Sequence, residues 1–133
     1  MTDAIRIAIS QEGDIVTARQ KGREIAAGAG FSGSDLTIIA TAISEVARNI
    51  VVYAQRGEVA LSTVQQNSRR GIQVIASDHG PGIPDIAMAM RDGFSTGKSL
   101  GLGLPGAKRL MDDFEIVSEV GQGTVITMRK WTR

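Results

Sequence analysis

Residues 78–106 read DHGPGIPDIAMAMRDGFSTGKSLGLGLPG and hold two glycine clusters. The first is Gly80-Pro81-Gly82, and the second is Gly101-Leu102-Gly103 with Gly106 close behind. Glycine permits a positive φ and lets a ligand approach the bare backbone. Where such a loop runs into a helix, the backbone N–H groups and the helix dipole form an anion site. Because Pro105 suits the first turn of a helix, the second cluster predicts a nucleotide phosphate site at 101–106, under a lid formed by the residues before it.

The composition is that of one globular domain. The chain has 133 residues, of which 42% are hydrophobic and 22% charged, enough for a single hydrophobic core. A net charge of +1 predicts neither a nucleic-acid nor a membrane-surface partner. There is no cysteine, no apolar run near the roughly 20 residues of a membrane span, and no signal-peptide pattern. We therefore expect a cytoplasmic protein with one domain over residues 1–133.

The order of secondary structure is strand, two helices, two strands, lid, helix, two strands. We expect strands over 4–9, 57–65, 71–78, 114–120 and 124–131, with turns at 66–70 and 121–123. A first helix begins near Gly13 or Asp14 and ends near Ala27, and a second runs from Ser34 or Asp35 to Tyr53 or Ala54. Strands that cluster in pairs favour an α/β (α+β) two-layer sandwich. In it a mixed, mostly antiparallel sheet is covered on one face by about three helices.

The second helix carries polar residues between apolar neighbours. At 100° per residue its core stripe is Leu36, Ile39, Ala40, Ile43, Ala47 and Ile50. Glu45 and Asn49 lie on the opposite side, four residues apart and with Arg48 beside them. One interpretation is a sheltered site in which Asn49 is an oxygen ligand of Mg²⁺ and Glu45 is a general base or orients the attacking group. The other is an ordinary helix surface with a Glu45–Arg48 contact.

Each glycine motif also has a purely structural interpretation. The segment from Asp78 to Gly82 follows a predicted strand and could be a tight turn. The segment from Gly101 to Gly106 could be no more than the entry to a helix. Neither motif alone decides between a structural and a functional role.

Taken together and in this order, the motifs resemble the three ATP-binding boxes of the GHKL superfamily, which is built on the Bergerat fold. The matching residues are Glu45-x-x-Arg48-Asn49, Asp78-x-Gly80-x-Gly82 and Gly101-x-Gly103-x-x-Gly106, and Gly121-Gln122-Gly123-Thr124 resembles the last motif of the family. No Walker A or Rossmann fingerprint competes with them. The chain is short, and its single histidine, His79, lies in a glycine loop. With its segments at residues 44–50 and 101–112, this short domain resembles the anti-sigma-factor serine kinases, and among them the RsbT type of switch kinase found in stressosomes.

The resemblance implies ATP and Mg²⁺ as cofactors and assigns a role to each matching residue. Asp78 accepts a hydrogen bond from the adenine amino group, Thr124 assists there, and Asn49 holds Mg²⁺. Glu45 activates a serine hydroxyl, and Arg48 helps with charge or with docking. The remaining nucleotide-binding residues belong to the adenine loop, the lid and the phosphate loop: Gly80, Gly82 and Ile83; Ser95, Thr96 and Lys98; Gly101, Leu102, Gly103, Leu104 and Gly106.

The function implied is a serine/threonine protein kinase that phosphorylates STAS-domain antagonist and scaffold proteins in a partner-switching stress pathway. On release it would activate a PP2C-type phosphatase. One alternative is a regulatory module that binds nucleotide and sequesters a partner without catalysis. Another, a gyrase-like ATPase clamp, is disfavoured because no transducer domain follows residue 133. The sequence leaves the oligomeric state open.

Overall fold

The computed structural model describes residues 4–90 and 103–133. In these residues the strands are β1 (Ile5–Ile9), β2 (Gly57–Gln66), β3 (Arg69–Asp78), β4 (Asp113–Glu119) and β5 (Gly123–Trp131). The helices are α1 (Glu12–Gly28), α2 (Ser34–Asn49), α3 (Ile86–Ala89) and α4 (Gly103–Leu110), and a π-helical turn (Ile50–Ala54) continues α2. The strands form one sheet in the order β1-β2-β3-β5-β4, and each of these pairings is antiparallel.

The two faces of the sheet differ in chemistry. Alternate residues of each strand point to one face, where Leu61, Val74 and Met128 are fully buried beneath α1, α2 and α4. On the other face Arg6 forms an ion pair with Glu58 at 2.7 Å, and Arg129 donates to Gln73 at 2.7 Å. The predicted two-layer sandwich, with about three helices on one face of a largely antiparallel sheet, is confirmed.

Helix α1 begins at Glu12, slightly earlier than the sequence predicted. The carboxylate of Asp14 accepts hydrogen bonds from the N–H groups of Ser10 and Gln11 at 2.9 and 3.2 Å. Asp14 therefore caps the helix from inside its first turn rather than from the residue before it. On the buried side, a Cβ at Gly22 would overlap the side chain of Ile43, so α1 and α2 pack closely at this point.

Helix α2 and the π-helical turn form one apolar run through the centre of the helical layer. Ser34–Ala54 is a helical segment of 21 residues, and an 18-residue stretch within it has a mean hydropathy of 1.4. By length and composition alone, such a helix could cross a membrane. The expectation that no apolar run approaches the length of a membrane span is therefore wrong for this segment. Ile39, Ile43 and Val46 are fully buried against the neighbouring helices and the sheet. Burial in the core therefore accounts for its apolar character.

Two local features differ from what the sequence predicted. The expected five-residue turn at 66–70 is a tight turn at Asn67 and Ser68, because Asn67 adopts a φ of 57° and Gln66 pairs directly with Arg69. The sequence also gave no indication of α3, a single turn capped by Asp85, whose side chain accepts from Met88 N at 2.9 Å. The closing hairpin matches its predicted bounds to within one residue.

The end of the chain fixes α4 on the sheet. Lys130, buried on β5, donates from Nζ to the carbonyl of Leu110 at the C-terminal end of α4, at 3.2 Å. Asp112, which directly precedes β4, accepts a hydrogen bond from the backbone N–H of Trp131 at 2.8 Å. A lysine at the C-terminal end of a helix also complements the helix dipole. These contacts set the position of α4 relative to the central strands.

Candidate nucleotide-binding site

Asp78 and Thr124 lie side by side at the ends of two central strands. They are direct partners in the register of β3 and β5, and both point to the helix-covered face. Asp78 is 8% exposed and Thr124 is 4% exposed. The Asp78 carboxylate accepts a hydrogen bond from Gly80 N at 2.8 Å. Since an ionised carboxylate has about four acceptor positions, this contact leaves it able to bind a further donor.

The loop 78–83 is held by the turn between β4 and β5, an arrangement we call the loop–turn clamp. Gly121 N donates to Pro81 O at 2.8 Å, and Ile83 N donates to the hydroxyl of Ser118 at 2.8 Å. Gly82 has a φ of 79°, and a Cβ there would overlap the backbone of Glu119. Gly82 is therefore needed for packing within the protein, whatever its relation to a ligand.

Ser118 is a residue of this region that the sequence analysis did not identify. Its hydroxyl contacts Ile83 N at 2.8 Å, Thr124 Oγ1 at 2.8 Å and Gly123 O at 3.2 Å. It faces Thr124 across the β4–β5 pair. On β4 the inward positions are Phe114, Ile116 and Ser118, so a lone polar residue at the third inward position was the available indication.

The loop–turn clamp can be tested with two glycine substitutions. Gly123 has a φ of 123°, and a Cβ there would overlap the carbonyl oxygen of Asp78. Gly121 has a φ of 83° but nothing within 4 Å of an added Cβ. We expect Gly121→Ala to lower the free energy of unfolding by about 1 kcal/mol through backbone strain alone, and Gly123→Ala by about 2 kcal/mol or more. Equal losses in urea titrations would show that the close contact with Asp78 is not made.

Helix α2 ends with Asn49, and Glu45 lies one turn earlier on the same helix. Glu45 is only 5% exposed, so the interpretation as an ordinary solvated helix surface does not hold for it. Asn49 and Arg48 are half-buried. Gly57 lies between the two regions. A Cβ added to it would be 2.9 Å from the side chain of Ile50, the residue after Asn49, and 3.0 Å from the Cβ of Asp78. The end of α2 is therefore adjacent to the end of β3.

Helix α4 also packs against α2, and its first turn holds three of the predicted phosphate-site residues. Gly103 has a φ of 69°, which favours glycine at this position. Leu104 is 7% exposed with its side chain in the core, and Gly106 is buried. If Leu104 contacts a ligand, the contact is made by its backbone. Ser95, Thr96, Lys98, Gly101 and Leu102, and the predicted lid with them, lie outside the described residues.

The donor set fits a magnesium ion held mainly by its nucleotide. Among residues 4–90 and 103–133 there is no group of three or more His, Asp or Glu side chains that could hold a metal by themselves. Mg²⁺ commonly takes one or two protein oxygens and completes its octahedron with phosphate and water. A half-buried amide such as Asn49 is compatible with this mode of binding.

The chain is similar to several known proteins. Residues 9–130 match the family described as histidine kinase-like ATPase domains. The chain is 50% identical over 133 residues, the full length of both chains, to the serine/threonine-protein kinase RsbT of Bacillus subtilis. It is 30% identical to an anti-sigma F factor of Caldanaerobacter subterraneus over 103 residues, covering 73% of this chain and 71% of the relative.

Solved structures share the fold at low sequence identity. A crystal structure of RsbU and RsbW domains from Mycobacterium tuberculosis superposes with a TM-score of 0.64 at 23% identity, over 97% of this chain and 32% of that one. The mycobacterial sensor histidine kinase MprB superposes with a TM-score of 0.57 at 18% identity, over 97% of this chain and 99% of that one.

Proposed function

The chain belongs to the family of histidine kinase-like ATPase domains, and from this membership we propose that it is an ATP-dependent protein serine/threonine kinase, working as a single domain over residues 1–133. The full-length identity of 50% to a serine/threonine-protein kinase supports the reaction type. The observation in the structure that carries the proposal is the burial of Glu45, four residues before Asn49 on a helix that packs against α4.

The base of ATP is assigned to the ends of β3 and β5. Asp78 accepts a hydrogen bond from the 6-amino group, and Thr124 lies beside it on the neighbouring strand. The bond from Gly80 N to Asp78 keeps the carboxylate oriented. Hydrogen bonds to a charged acceptor contribute about 1.5–3 kcal/mol. The bond from the 6-amino group to Asp78 is therefore expected to decide the affinity for the nucleotide.

The phosphates are assigned to the first turn of α4 and to the loop before it. Backbone N–H groups at the start of a helix attract anions, and Gly103 and its neighbours supply them. Asn49 would hold Mg²⁺, which when bound neutralises charge on the phosphates. Lys98, Ser95 and Thr96 would complete the contacts from the lid, with Lys98 directed to the γ-phosphate.

The proposed chemical step is phosphoryl transfer to a serine of a docked protein. Glu45 accepts the proton of the serine hydroxyl as the hydroxyl oxygen bonds to the γ-phosphorus. The bond from that phosphorus to the β–γ bridging oxygen breaks, and ADP leaves. Because this reaction depends mainly on positioning and charge, few side chains are required. Arg48, beside Glu45, contributes charge or docks the substrate.

The proposed substrates are STAS-domain antagonist and scaffold proteins of a cytoplasmic partner-switching pathway. We further propose that the released kinase activates a PP2C-type phosphatase. The names of the two relatives, a kinase and an anti-sigma factor, support a role in partner switching. The anti-sigma relative also favours a second candidate function, a regulatory module that sequesters its partner in a nucleotide-dependent way. The presence of Glu45 argues against that alternative, since a module that only binds has no need of a base.

A reconstituted phosphorylation assay separates the two candidates. The purified chain is mixed with Mg-ATP and a STAS-domain protein from the same organism, and phosphosites are mapped by mass spectrometry. We expect phosphoserine or phosphothreonine on the STAS-domain protein only when the chain and ATP are both present. Binding of nucleotide and partner without any phosphorylated product would refute the kinase and leave the binding module.

A further inference from the structure

The hydroxyl of Ser118 makes three contacts but carries only one proton. Ile83 N–H donates to it at 2.8 Å. Gly123 O, at 3.2 Å, can only accept. The third contact, to Thr124 Oγ1 at 2.8 Å, permits either hydroxyl to donate.

Only one arrangement of protons makes all three contacts hydrogen bonds. A hydroxyl donates once and accepts up to twice. Ser118 therefore donates to Gly123 O, accepts from Ile83 N, and accepts the proton of Thr124. In the reverse arrangement Ser118 donates to Thr124, and the contact with Gly123 O then has no proton. Since Thr124 is almost fully buried, an arrangement that satisfies every polar contact is favoured.

This arrangement determines what Thr124 can offer a ligand. Its proton is taken by Ser118, so Thr124 Oγ1 presents lone pairs only. The neighbouring Asp78 is also an acceptor when ionised, and the two residues are direct cross-strand partners on the same face. Two adjacent acceptors match an amino group, which has two N–H donors, and they repel a carbonyl oxygen in the same position.

We propose that Ser118 is a positioning residue for base selection: by accepting the Thr124 proton, it makes Asp78 and Thr124 a pair of acceptors that binds a 6-aminopurine and rejects a 6-oxopurine. The proposal rests on the proposed function, because it requires that the base of the nucleotide lies at these strand ends. It adds Ser118 to the proposed nucleotide site and gives a physical reason for selectivity between purine bases. A site with fixed hydrogen-bonding groups rejects a ligand that leaves them unsatisfied far more strongly than a site that selects by size.

The test compares the affinities of Mg-ATP and Mg-ITP, which differ at position 6 of the purine. Titration calorimetry on the wild-type chain should give much tighter binding of ATP. In Ser118→Ala the hydroxyl of Thr124 loses its acceptor and is able to donate towards a carbonyl. We expect the ratio of the ITP to the ATP dissociation constant to fall about tenfold. Ser118→Thr keeps a hydroxyl and should keep the wild-type ratio.

The ratio separates base selection from a merely structural role. If Ser118 only held the loop–turn clamp together, Ser118→Ala would weaken both nucleotides equally, and an unchanged ratio would overturn the proposal. Ser62→Ala, on the other face of the sheet, is the matched control and should keep the wild-type ratio. If circular dichroism shows Ser118→Ala to be unfolded, Ser118→Cys provides a weaker acceptor of similar size. It should lower the ratio in the same direction but by less, and an unchanged ratio would again overturn the proposal. Wild-type protein that binds neither nucleotide would instead refute the proposed function itself.

Discussion

Replacing Glu45 with glutamine should lower the rate of phosphoryl transfer to the partner protein by about 10²- to 10⁴-fold, the usual contribution of a general base. Glutamine has nearly the same size but cannot accept the proton of the serine hydroxyl. Because Glu45 is only 5% exposed, a substitution of equal size is the one that disturbs the packing of α2 least. Single-turnover phosphorylation with saturating Mg-ATP and partner measures the change directly.

The same variant should retain binding, and this separates a base from a structural residue. We expect the dissociation constants for Mg-ATP and for the partner to stay within about threefold of wild type, because neither contact requires a proton acceptor at residue 45. Glu24→Gln, on the exposed side of α1, makes the same change of charge and should phosphorylate at the wild-type rate. If Glu45→Gln transferred the phosphoryl group at the wild-type rate, Glu45 would not be the general base.

Replacing Asp78 with asparagine should weaken Mg-ATP binding by about 100-fold. The loss corresponds to a hydrogen bond from a charged acceptor, about 3 kcal/mol at the upper end of the usual range. Stability of the nucleotide-free protein should change little, since the amide oxygen of asparagine can still accept from Gly80 N. Calorimetric titration gives the affinity, and thermal unfolding without nucleotide gives the stability.

Asp112→Asn is the matched control for this substitution. Asp112 also accepts a backbone N–H bond at 2.8 Å, from Trp131, at the opposite end of β5. Any loss of stability from replacing a carboxylate by an amide should therefore appear in both variants, whereas the loss of affinity should appear only in Asp78→Asn. If Asp78→Asn lost much stability but kept its affinity for ATP, the loop after β3 would be a structural turn with no role in nucleotide binding.

Most of the fold could be predicted because hydrophobic periodicity specifies each element separately. The spacing of Ile39, Ile43 and Ile50 identified the buried side of α2, and the bounds of β3 and β5 were predicted from the sequence to within two residues. These residues need only their local period to be placed. The order of the strands is different, because periodicity carries no information about which strands become neighbours.

The candidate site depends on that missing information. Asp78 and Thr124 lie side by side only because β5, the last strand, pairs with β3 and leaves β4 at the edge. The sequence identified both residues through their resemblance to family motifs, not through their proximity. Ser118 is absent from those motifs, and its importance emerges from three hydrogen bonds that only the folded chain brings together. The tight turn at Asn67 was missed because it depends on a residue accepting positive φ.

The most direct measurement of the central claim is an NMR titration of the isotopically labelled chain with Mg-ATP. The claim is that the end of β3, the end of α2 and the start of α4 bind one nucleotide. We expect the backbone signals of Asp78 and Gly80, of Asn49, and of Gly103 to shift together with a single dissociation constant, while signals of the outer sheet face at Ser62 stay in place. Signals that do not shift at saturating Mg-ATP, or that shift in only one of the three segments, would contradict it.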